Sequence, residues 1–261
     1  MSRPDSAAAV RIACGQFCAT PNPAANLASC TKLAQLAAAG GARALFLPEA
    51  SDYISRSAGE TLSLCQPAAS SEFVLGLRAL AQQHGMAIIA GIHTPPASAS
   101  ASSSGRVRNT CVYISEEGAV AAAYDKVHLF DIDLPACGIC FDLRFPEPAR
   151  WLVARGAQLL CYPSAFTVPT GRAHWELLLR ARAVEGQVWV VAPAQVGRHT
   201  EGRRSWGGAC VVDPWGEVRG RCRAWDELDE EVCLVDVDLE VLRRVRRECP
   251  LRRREDVYPA I

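Results

Sequence analysis

The chain has 261 residues, 49% of them hydrophobic, so it is long enough to bury a substantial core. Its 28 basic and 28 acidic residues balance, which argues against a surface that binds nucleic acid or another polyanion. No apolar run reaches the roughly 18 residues that a membrane span requires, and the N-terminus lacks the apolar segment of a secretory signal. We therefore expect one domain over residues 10–261, preceded by a flexible N-terminus at residues 1–9.

The first half of the chain alternates between strand and helix patterns. Helical spacing of apolar residues predicts a helix over residues 27–39, capped by Asn22 or Asn26, and a second helix over residues 71–84, closed by Gly85. Continuous apolar runs predict buried strands over residues 10–17, 44–47 and 86–92. The low-complexity stretch 94–105 is expected to be a mobile surface loop.

The second half adds hairpins to this alternation. A hairpin is predicted over residues 108–115 and 120–124, joined by a turn that contains Gly118. Further strands are predicted over residues 158–162, 188–194, 206–212, 218–221 and 232–237, with helices over residues 173–185 and 239–247. Helices that alternate with strands, together with hairpins, indicate an α/β protein with mixed sheets in at least two layers.

The twelve cysteines are the most unusual feature of the composition. Most of them lie inside apolar, strand-like runs, where a cysteine usually acts as a small hydrophobic residue. Without a secretory signal, we interpret the compartment as reducing and the protein as cytoplasmic. A mitochondrial location stays open as a weakly supported alternative. The lone CxxC, Cys137 to Cys140, has no second ligand pair, which argues against zinc.

One cysteine lies where a reactive thiol is expected. Residues up to Cys140 read as a short buried strand, followed by a sharp turn through Phe141 and Asp142 and a helix that begins near Pro146. A thiol at such an elbow lies near free main-chain N–H groups and the positive end of a helix dipole. Both effects are expected to lower the pKa of Cys140 and to leave its sulfur reactive.

A general base and a cation each follow a predicted strand elsewhere in the chain. Glu49 comes after the strand 44–47, and Lys126 comes after the strand 120–124. Taken alone, Glu49 is better explained as the cap of a turn, and Lys126 as a solvated surface lysine. The second alternative is weakened because Lys126 is one of only two lysines among the 28 basic residues.

Several ordered motifs resemble the carbon–nitrogen hydrolase (nitrilase) superfamily, which has a Glu–Lys–Cys triad. The resemblance covers the chain from about Val10 to Pro259 and is greatest to the branch that hydrolyses deaminated glutathione. The motifs are Leu47-Pro-Glu-Ala-Ser-Asp-Tyr53, His128-Leu-Phe-Asp-Ile-Asp-Leu-Pro135, Phe141-Asp-Leu-Arg-Phe-Pro-Glu147, Tyr162-Pro-Ser-Ala-Phe166, Thr170-Gly-Arg-Ala-His-Trp-Glu176, Ala194-Gln-Val-Gly-Arg-His199 and Asp213-Pro-Trp-Gly216. Each motif is weak alone, and the ordered set is specific.

The resemblance implies a four-layer α-β-β-α sandwich, a homodimer, and an amidase without cofactor or metal. Its substrate would be a small amide bearing a carboxylate, with deaminated glutathione as the first candidate and 2-oxoglutarate and cysteinylglycine as products. Other omega-amidase or carbamoyl substrates use the same triad and remain alternatives. Glu49 would be the base, Cys140 the nucleophile, and Lys126 with the N–H of Phe141 the oxyanion site.

Four further residues receive roles near this triad. Arg144 would clamp the substrate carboxylate, although an ion pair with a nearby carboxylate of Asp142, Glu147 or Glu176 fits the spacing equally well. Phe166 and Thr170, on the loop after the strand 158–162, are predicted pocket walls. Glu176 would orient Lys126 or Arg144 from behind, with an ordinary helix-surface glutamate as the alternative.

The chain departs from the family between Lys126 and Cys140. Only 13 residues separate them, whereas the family carries a much longer connection with an additional glutamate near the site. This shortening raises a second hypothesis, a catalytically impaired member that acts as a binding protein. A third hypothesis, a dithiol oxidoreductase using Cys137 and Cys140, fits less well because Cys137 would lie inside the predicted strand.

Overall fold

A computed structural model describes residues 9–96, 107–128, 139–225, 230–254 and 256–257, with the backbone alone at residues 139 and 140. Residues 1–8 of the N-terminus predicted over 1–9, most of the loop 94–105, and Cys137 lie outside the described residues. In the part of the chain that is described, no helix is long and apolar enough to cross a bilayer.

Twelve strands are described, and together they form two mixed sheets. Their bounds are β1 Val10–Phe17, β2 Ala44–Phe46, β3 Ala87–Thr94, β4 Arg108–Ile114, β5 Val120–Asp125, β6 Leu159–Cys161, β7 Trp189–Ala192, β8 Ala194–Arg198, β9 Arg204–Trp206, β10 Cys210–Val212, β11 Val218–Arg221 and β12 Glu231–Val237. The first sheet has the order β5-β4-β3-β2-β1-β8-β9, with β12 also paired to β1. The second sheet has the order β11-β10-β7-β6.

Six α-helices accompany these strands in the described ranges. Their bounds are α1 Pro23–Ala39, α2 Ala58–Leu64, α3 Glu72–His84, α4 Pro146–Ala154, α5 Val168–Gly186 and α6 Leu239–Glu248, and a 3-10 helix spans Ile139–Arg144. Asn22 caps α1 by accepting main-chain N–H bonds, and Ser71 does the same for α3. Gly85 ends α3 in the left-handed conformation that glycine adopts at little cost.

Two hydrophobic clusters indicate how the layers stack. In one cluster, α1 and α3 pack on the first sheet through side chains such as Leu33 and Leu77. In the other, the second sheet packs against α5 through Leu179 and against the first sheet through Ile12. The order helix, sheet, sheet, helix is the predicted four-layer α-β-β-α sandwich with mixed sheets.

Two predicted strands are in fact pairs of strands that belong to different sheets. The run 188–194 divides at Pro193 into β7 of the second sheet and β8 of the first, because proline offers no N–H to a ladder. The run 206–212 divides at Gly207 and Gly208, whose positive φ angles turn the chain from β9 to β10.

Two other differences concern helices. The short helix α2 was not predicted, because its seven residues bury no side chain and therefore give no apolar periodicity. Helix α5 begins at Val168, five residues before the predicted start, because Pro169 provides a favourable first turn. Thr170 consequently lies in the first turn of α5 and not on a loop.

Candidate active site

The direction of the strands brings three polar residues to one edge of the first sheet. Strands β1, β2 and β3 are parallel, so Glu49 leaves the sheet at the edge where β3 ends. Strand β4 is antiparallel to β3 and begins at that edge, where its second residue, Asn109, is the register partner of His93. Strand β5 is antiparallel to β4 and returns there, so Lys126 follows its last residue at the same edge.

Glu49 is fully buried in a tight turn against β3. Its main chain passes so close to Gly91 that a Cβ there would lie 2.6 Å from the Cα of Glu49. Ala50, with φ of 53°, then turns the chain sharply. The side chain of Gln195 donates to the main-chain carbonyl of Glu49 at 2.9 Å. These contacts fix the backbone from which the carboxylate projects, and Glu49 is 0% exposed.

Lys126 is also buried, with only 8% of its surface exposed, so the solvated-lysine alternative is wrong. Its main-chain N–H donates to the carbonyl of Asn109 at 2.9 Å. Its Nζ lies 5.9 Å from the centre of the Phe141 ring and has no hydrogen-bond partner among the described residues. A buried ammonium is costly without compensation, so this arrangement can stabilise negative charge that develops close to the Lys126 Nζ.

Asn109 connects these two charged residues and was missed by the sequence analysis. Its side-chain amide donates to Glu49 Oε1 at 2.8 Å, while its carbonyl accepts the N–H of Lys126. The side chain is buried, although it lies on a strand of mixed polarity. The available sequence signal was an amide residue at the start of β4, directly across the predicted hairpin from the end of β5.

The segment around Cys140 differs from the predicted strand. Residues 139 and 140 belong to a 3-10 helix, and the sulfur of Cys140 lies outside the described part of the structure. The buried carboxylate of Asp142 accepts from the main-chain N–H and from Nδ1–H of His128, both at 2.8 Å. Tyr124 O–H donates to the same carboxylate at 3.2 Å. These contacts hold Asp142, two residues after Cys140, beside His128, two residues after Lys126.

The main chain after Cys140 leads directly to a cationic side chain between two aromatic rings. The Arg144 guanidinium carbon lies 5.6 Å from the ring centre of Phe141 and 5.3 Å from that of Phe166. Its terminal nitrogen donates to Nδ1 of His174 at 3.2 Å, which places the His174 proton on Nε2.

The ion pairs proposed for Arg144 as an alternative are replaced by other contacts. The Asp142 carboxylate is bonded to His128, and the Glu176 carboxylate forms ion pairs with Arg221 at 2.5 Å and Arg180 at 3.8 Å. Glu176 is thus a helix-surface residue and does not orient Lys126 or Arg144. The orienting role predicted for Glu176 is wrong, because its position on α5 directs the carboxylate toward Arg221 on β11.

The two predicted pocket walls have different surroundings. Phe166 is buried, and its ring packs against Trp175 with the ring centres 4.9 Å apart, beside the Arg144 guanidinium. Thr170 Oγ1 is instead 2.8 Å from the hydroxyl oxygen of Thr167, the residue that precedes α5. Phe166 therefore belongs to the arginine cluster, whereas the Thr170 hydroxyl is engaged within the first turn of its own helix.

A second buried polar pair lies beside Glu49. Nδ1 of His93 donates to Asp52 Oδ1 at 2.9 Å, and the His93 main-chain N–H donates to Asp52 Oδ2 at 2.7 Å. Tyr53 stacks on the His93 ring with centroids 4.3 Å apart. The pair fixes the end of β3 against the turn that follows Glu49, and the sequence analysis did not assign it a role.

The described cysteines form no disulfides, and the described residues form no metal-binding cluster. None of the ten cysteines with described side chains is in a disulfide. Burial raises the pKa of several of these thiols, that of Cys111 to about 12, so they resemble small hydrophobic residues more than nucleophiles. Within the described ranges, no three His, Cys, Asp or Glu side chains are arranged to hold a metal ion.

Comparisons with known proteins all point to one family. Residues 8–247 match the profile of the carbon-nitrogen hydrolase family. Deaminated glutathione amidase of Mus musculus is 37% identical over 281 aligned positions, which cover 96% of this chain and 85% of the mouse protein. That alignment is longer than the 261 residues present here, so the mouse protein carries residues without a counterpart in this chain.

Two solved structures extend the comparison. The Caenorhabditis elegans NitFhit protein superposes with a TM-score of 0.86 at 33% identity, covering 96% of this chain and 66% of that chain. The amidase from Nesterenkonia sp. AN1 superposes with a TM-score of 0.73 at 26% identity, covering 92% of this chain and 97% of that chain. In that structure, a variant of the amidase carries acrylamide added to its active-site cysteine.

Proposed function

The chain belongs to the carbon-nitrogen hydrolase family, and we propose that it is an amidase whose triad is Glu49, Lys126 and Cys140. The observation that carries this assignment is the pairing of Glu49 and Lys126 through Asn109. An acidic and a basic side chain are buried at one sheet edge, and both are held by one residue. Lys126 also faces the Phe141 ring, which adjoins Cys140 in the chain.

The first half of the reaction forms a thioester. Glu49 takes the thiol proton of Cys140, and the thiolate attacks the amide carbonyl carbon of the substrate. The negative charge that develops on the carbonyl oxygen is stabilised by the Lys126 ammonium and by the N–H of Phe141. As the C–N bond breaks, Glu49 returns the proton to the leaving nitrogen, so the amine departs neutral.

The second half hydrolyses this thioester. Glu49, now ionised again, removes a proton from a water molecule, and the resulting hydroxide attacks the thioester carbonyl. The same cation and N–H stabilise the second oxyanion. Its collapse breaks the C–S bond, the thiolate of Cys140 leaves, and Glu49 supplies a proton that restores the thiol. One water molecule is consumed, and one acid and one amine are released.

The substrate that we propose is deaminated glutathione, which yields 2-oxoglutarate and cysteinylglycine. The mouse relative is named for activity on this compound. Arg144 supports the proposal because a guanidinium between the rings of Phe141 and Phe166 is a rigid partner for a carboxylate. His174 accepts a hydrogen bond from one N–H group of Arg144 and thereby holds the orientation of the guanidinium.

A turnover assay tests this function. Purified protein is supplied with deaminated glutathione, and released 2-oxoglutarate is measured. We expect turnover by the native chain and a loss of at least about 1000-fold in Cys140→Ala, because no thioester forms without the nucleophile. Cys249→Ala, which removes an exposed thiol near the C-terminal end of α6, serves as the matched control and retains full activity. Full turnover by Cys140→Ala would remove this cysteine from the mechanism.

A second candidate is an impaired family member that acts as a binding protein. The short Lys126–Cys140 connection favours it, as does the greater aligned length of the mouse relative. Iodoacetamide labelling distinguishes the two. A triad cysteine reacts much faster than the other thiols, whereas uniformly slow labelling of all twelve, together with absent turnover, identifies the binding protein. Loss of fast labelling in Cys137→Ala would instead indicate a dithiol oxidoreductase.

A further inference from the structure

Asn109 makes two different connections that no catalytic step above requires of it. Its side chain donates to Glu49 Oε1 at 2.8 Å, and its main chain accepts from the N–H of Lys126 at 2.9 Å. A carboxylate only accepts hydrogen bonds, so the amide nitrogen, and not the amide oxygen, must face Glu49. The orientation of the amide group is therefore determined by the chemistry of its partner.

The strand that carries Asn109 is held on both sides. Its register partner on β3 is His93, which is fixed by Asp52. The residues before and after Asn109, Arg108 and Thr110, both bond to the carboxylate of Asp125, at 2.6 Å each. Since Asp125 directly precedes Lys126, the ladder that positions Asn109 also positions the lysine.

Three buried polar atoms at this point have no hydrogen-bond partner among the described residues. They are Glu49 Oε2, Asn109 Oδ1 and Lys126 Nζ. Buried polar atoms in native proteins are almost always paired, so three such atoms on connected residues indicate groups reserved for a reactant. With Oε1 engaged by Asn109, the remaining open atom of the carboxylate is Oε2.

From these contacts, we propose that Asn109 is a positioning residue that confines proton transfer by Glu49 to Oε2. The proposal rests on the amidase function proposed above. The thiol proton of Cys140 moves to Oε2 and later from Oε2 to the leaving nitrogen, while Oε1 stays an acceptor of the Asn109 N–H throughout. Because the carboxylate cannot rotate about its own axis without losing that bond, the proton is delivered from one direction at every step.

Asn109→Asp and Asn109→Ala test the side-chain contact without altering the main-chain bond to Lys126. Asp has the same shape but no donor, and Ala removes the donor without adding charge. We expect kcat to fall by about 100-fold in both variants with KM changed less than about threefold, which is the range for misdirected general acid–base catalysis. Asn26→Ala is the matched control, because Asn26 is also a buried asparagine with side-chain donors, bonded to Thr20 and Asp52. It keeps the native kcat.

The rate at which iodoacetamide alkylates Cys140 separates positioning from structural support. If Asn109 acts through Glu49, Asn109→Ala slows alkylation by about tenfold in the native background and not at all in Glu49→Gln. Equal slowing in both backgrounds, or an unchanged kcat in an active enzyme, would overturn the role of Asn109 alone. Absence of both turnover and fast labelling in the native chain would overturn the amidase function itself, so the two failures are distinguishable.

Discussion

The carboxylate of Asp142 lies 2.8 Å from both nitrogen atoms that His128 presents to it, the main-chain N and Nδ1. These contacts join the two described ends of the connection between Lys126 and Cys140. They hold the 3-10 helix that begins with residues 139 and 140 near Lys126, whose Nζ lies 5.9 Å from the ring centre of Phe141. The His128 ring also stacks on Phe145, with the ring centres 3.9 Å apart, which ties the start of α4 to the same point.

Removal of the Asp142 carboxylate is expected to release this turn. Asp142→Ala removes the buried acceptor shared by the part-exposed donors of His128 and Tyr124, so the free energy of unfolding falls by about 1–3 kcal/mol. Urea unfolding measures the change, and amidase turnover falls with it. Tyr124→Phe, which removes only the 3.2 Å contact to Asp142, is expected to cost about 1 kcal/mol. Equal stability of Asp142→Ala and the native chain would show that the turn is held by other contacts.

Arg144 is expected to determine the preference for substrates that carry a carboxylate. In Arg144→Gln, KM for deaminated glutathione rises by about 10- to 100-fold, because a hydrogen bond to a charged group contributes about 1.5–3 kcal/mol. Turnover of a neutral amide without a carboxylate stays at its native rate. Arg150→Gln, an exposed arginine on α4, is the matched control. An equal loss on charged and neutral amides would assign Arg144 to the fold of the site instead.

His199 is expected to make stability depend on pH below neutrality. The imidazole is buried, with Nδ1–H donating to Ala19 O and Nε2 accepting from the Ser205 hydroxyl, both at 2.8 Å. Burial lowers the pKa of His199 to about 4, below the usual value of 6.5. The unfolded chain therefore binds a proton between these two pH values that the folded chain does not.

Because the unfolded chain binds this additional proton, the free energy of unfolding decreases as the pH falls. The contribution of His199 is fully present above pH 6.5 and is lost as the pH falls toward 4. Between pH 7 and pH 5, the loss is about 2 kcal/mol in the free energy of unfolding. Urea unfolding at the two pH values measures it, and His199→Gln is expected to show a correspondingly smaller decrease. Parallel decreases in the two proteins would contradict the depressed pKa.

The homodimer predicted by the family resemblance has a candidate surface on α5. Leu177, which is 67% exposed, lines an open cavity of about 540 Å³ together with Ala181 and Val184. Spacings of four and three residues place these side chains on the same face of α5. Leu177→Glu places a charge on this apolar face and is expected to shift the protein toward the monomer, as measured by light scattering. Leu62→Glu, on the exposed helix α2, is the matched control and leaves the mass unchanged. An unchanged dimer in Leu177→Glu would exclude this face.

Much of the layered architecture was accessible from local sequence signals. Asn22, one of the two predicted caps, precedes α1, which begins at Pro23 and not at residue 27, and Gly85 ends α3 as predicted, because capping depends on the residue and its immediate neighbours. The assignment of strands to sheets was less accessible. Pro193 divides an apolar run between two sheets, and apolar periodicity contains no information about which sheet a buried strand joins.

The candidate site likewise combines residues that local sequence signals identify with residues that only the sheet order brings together. Glu49 and Lys126 became candidates because each follows an apolar strand, but only the family resemblance favoured them over a turn cap and a surface lysine, and both are buried. Asn109 was not identified, since its importance comes from residues 60 positions before it and 17 after it, which only the sheet order brings together. Glu176 was misassigned because spacing along α5 does not reveal that the side chain faces Arg221.

The most direct test of the account is to trap the acyl-enzyme. The native chain is mixed with deaminated glutathione, quenched in acid during turnover, digested, and analysed by peptide mass spectrometry. We expect a 2-oxoglutaryl thioester on the peptide that contains Cys140, and none in Cys140→Ala. An acyl group on any other cysteine, or turnover with no acyl group on Cys140, would contradict it.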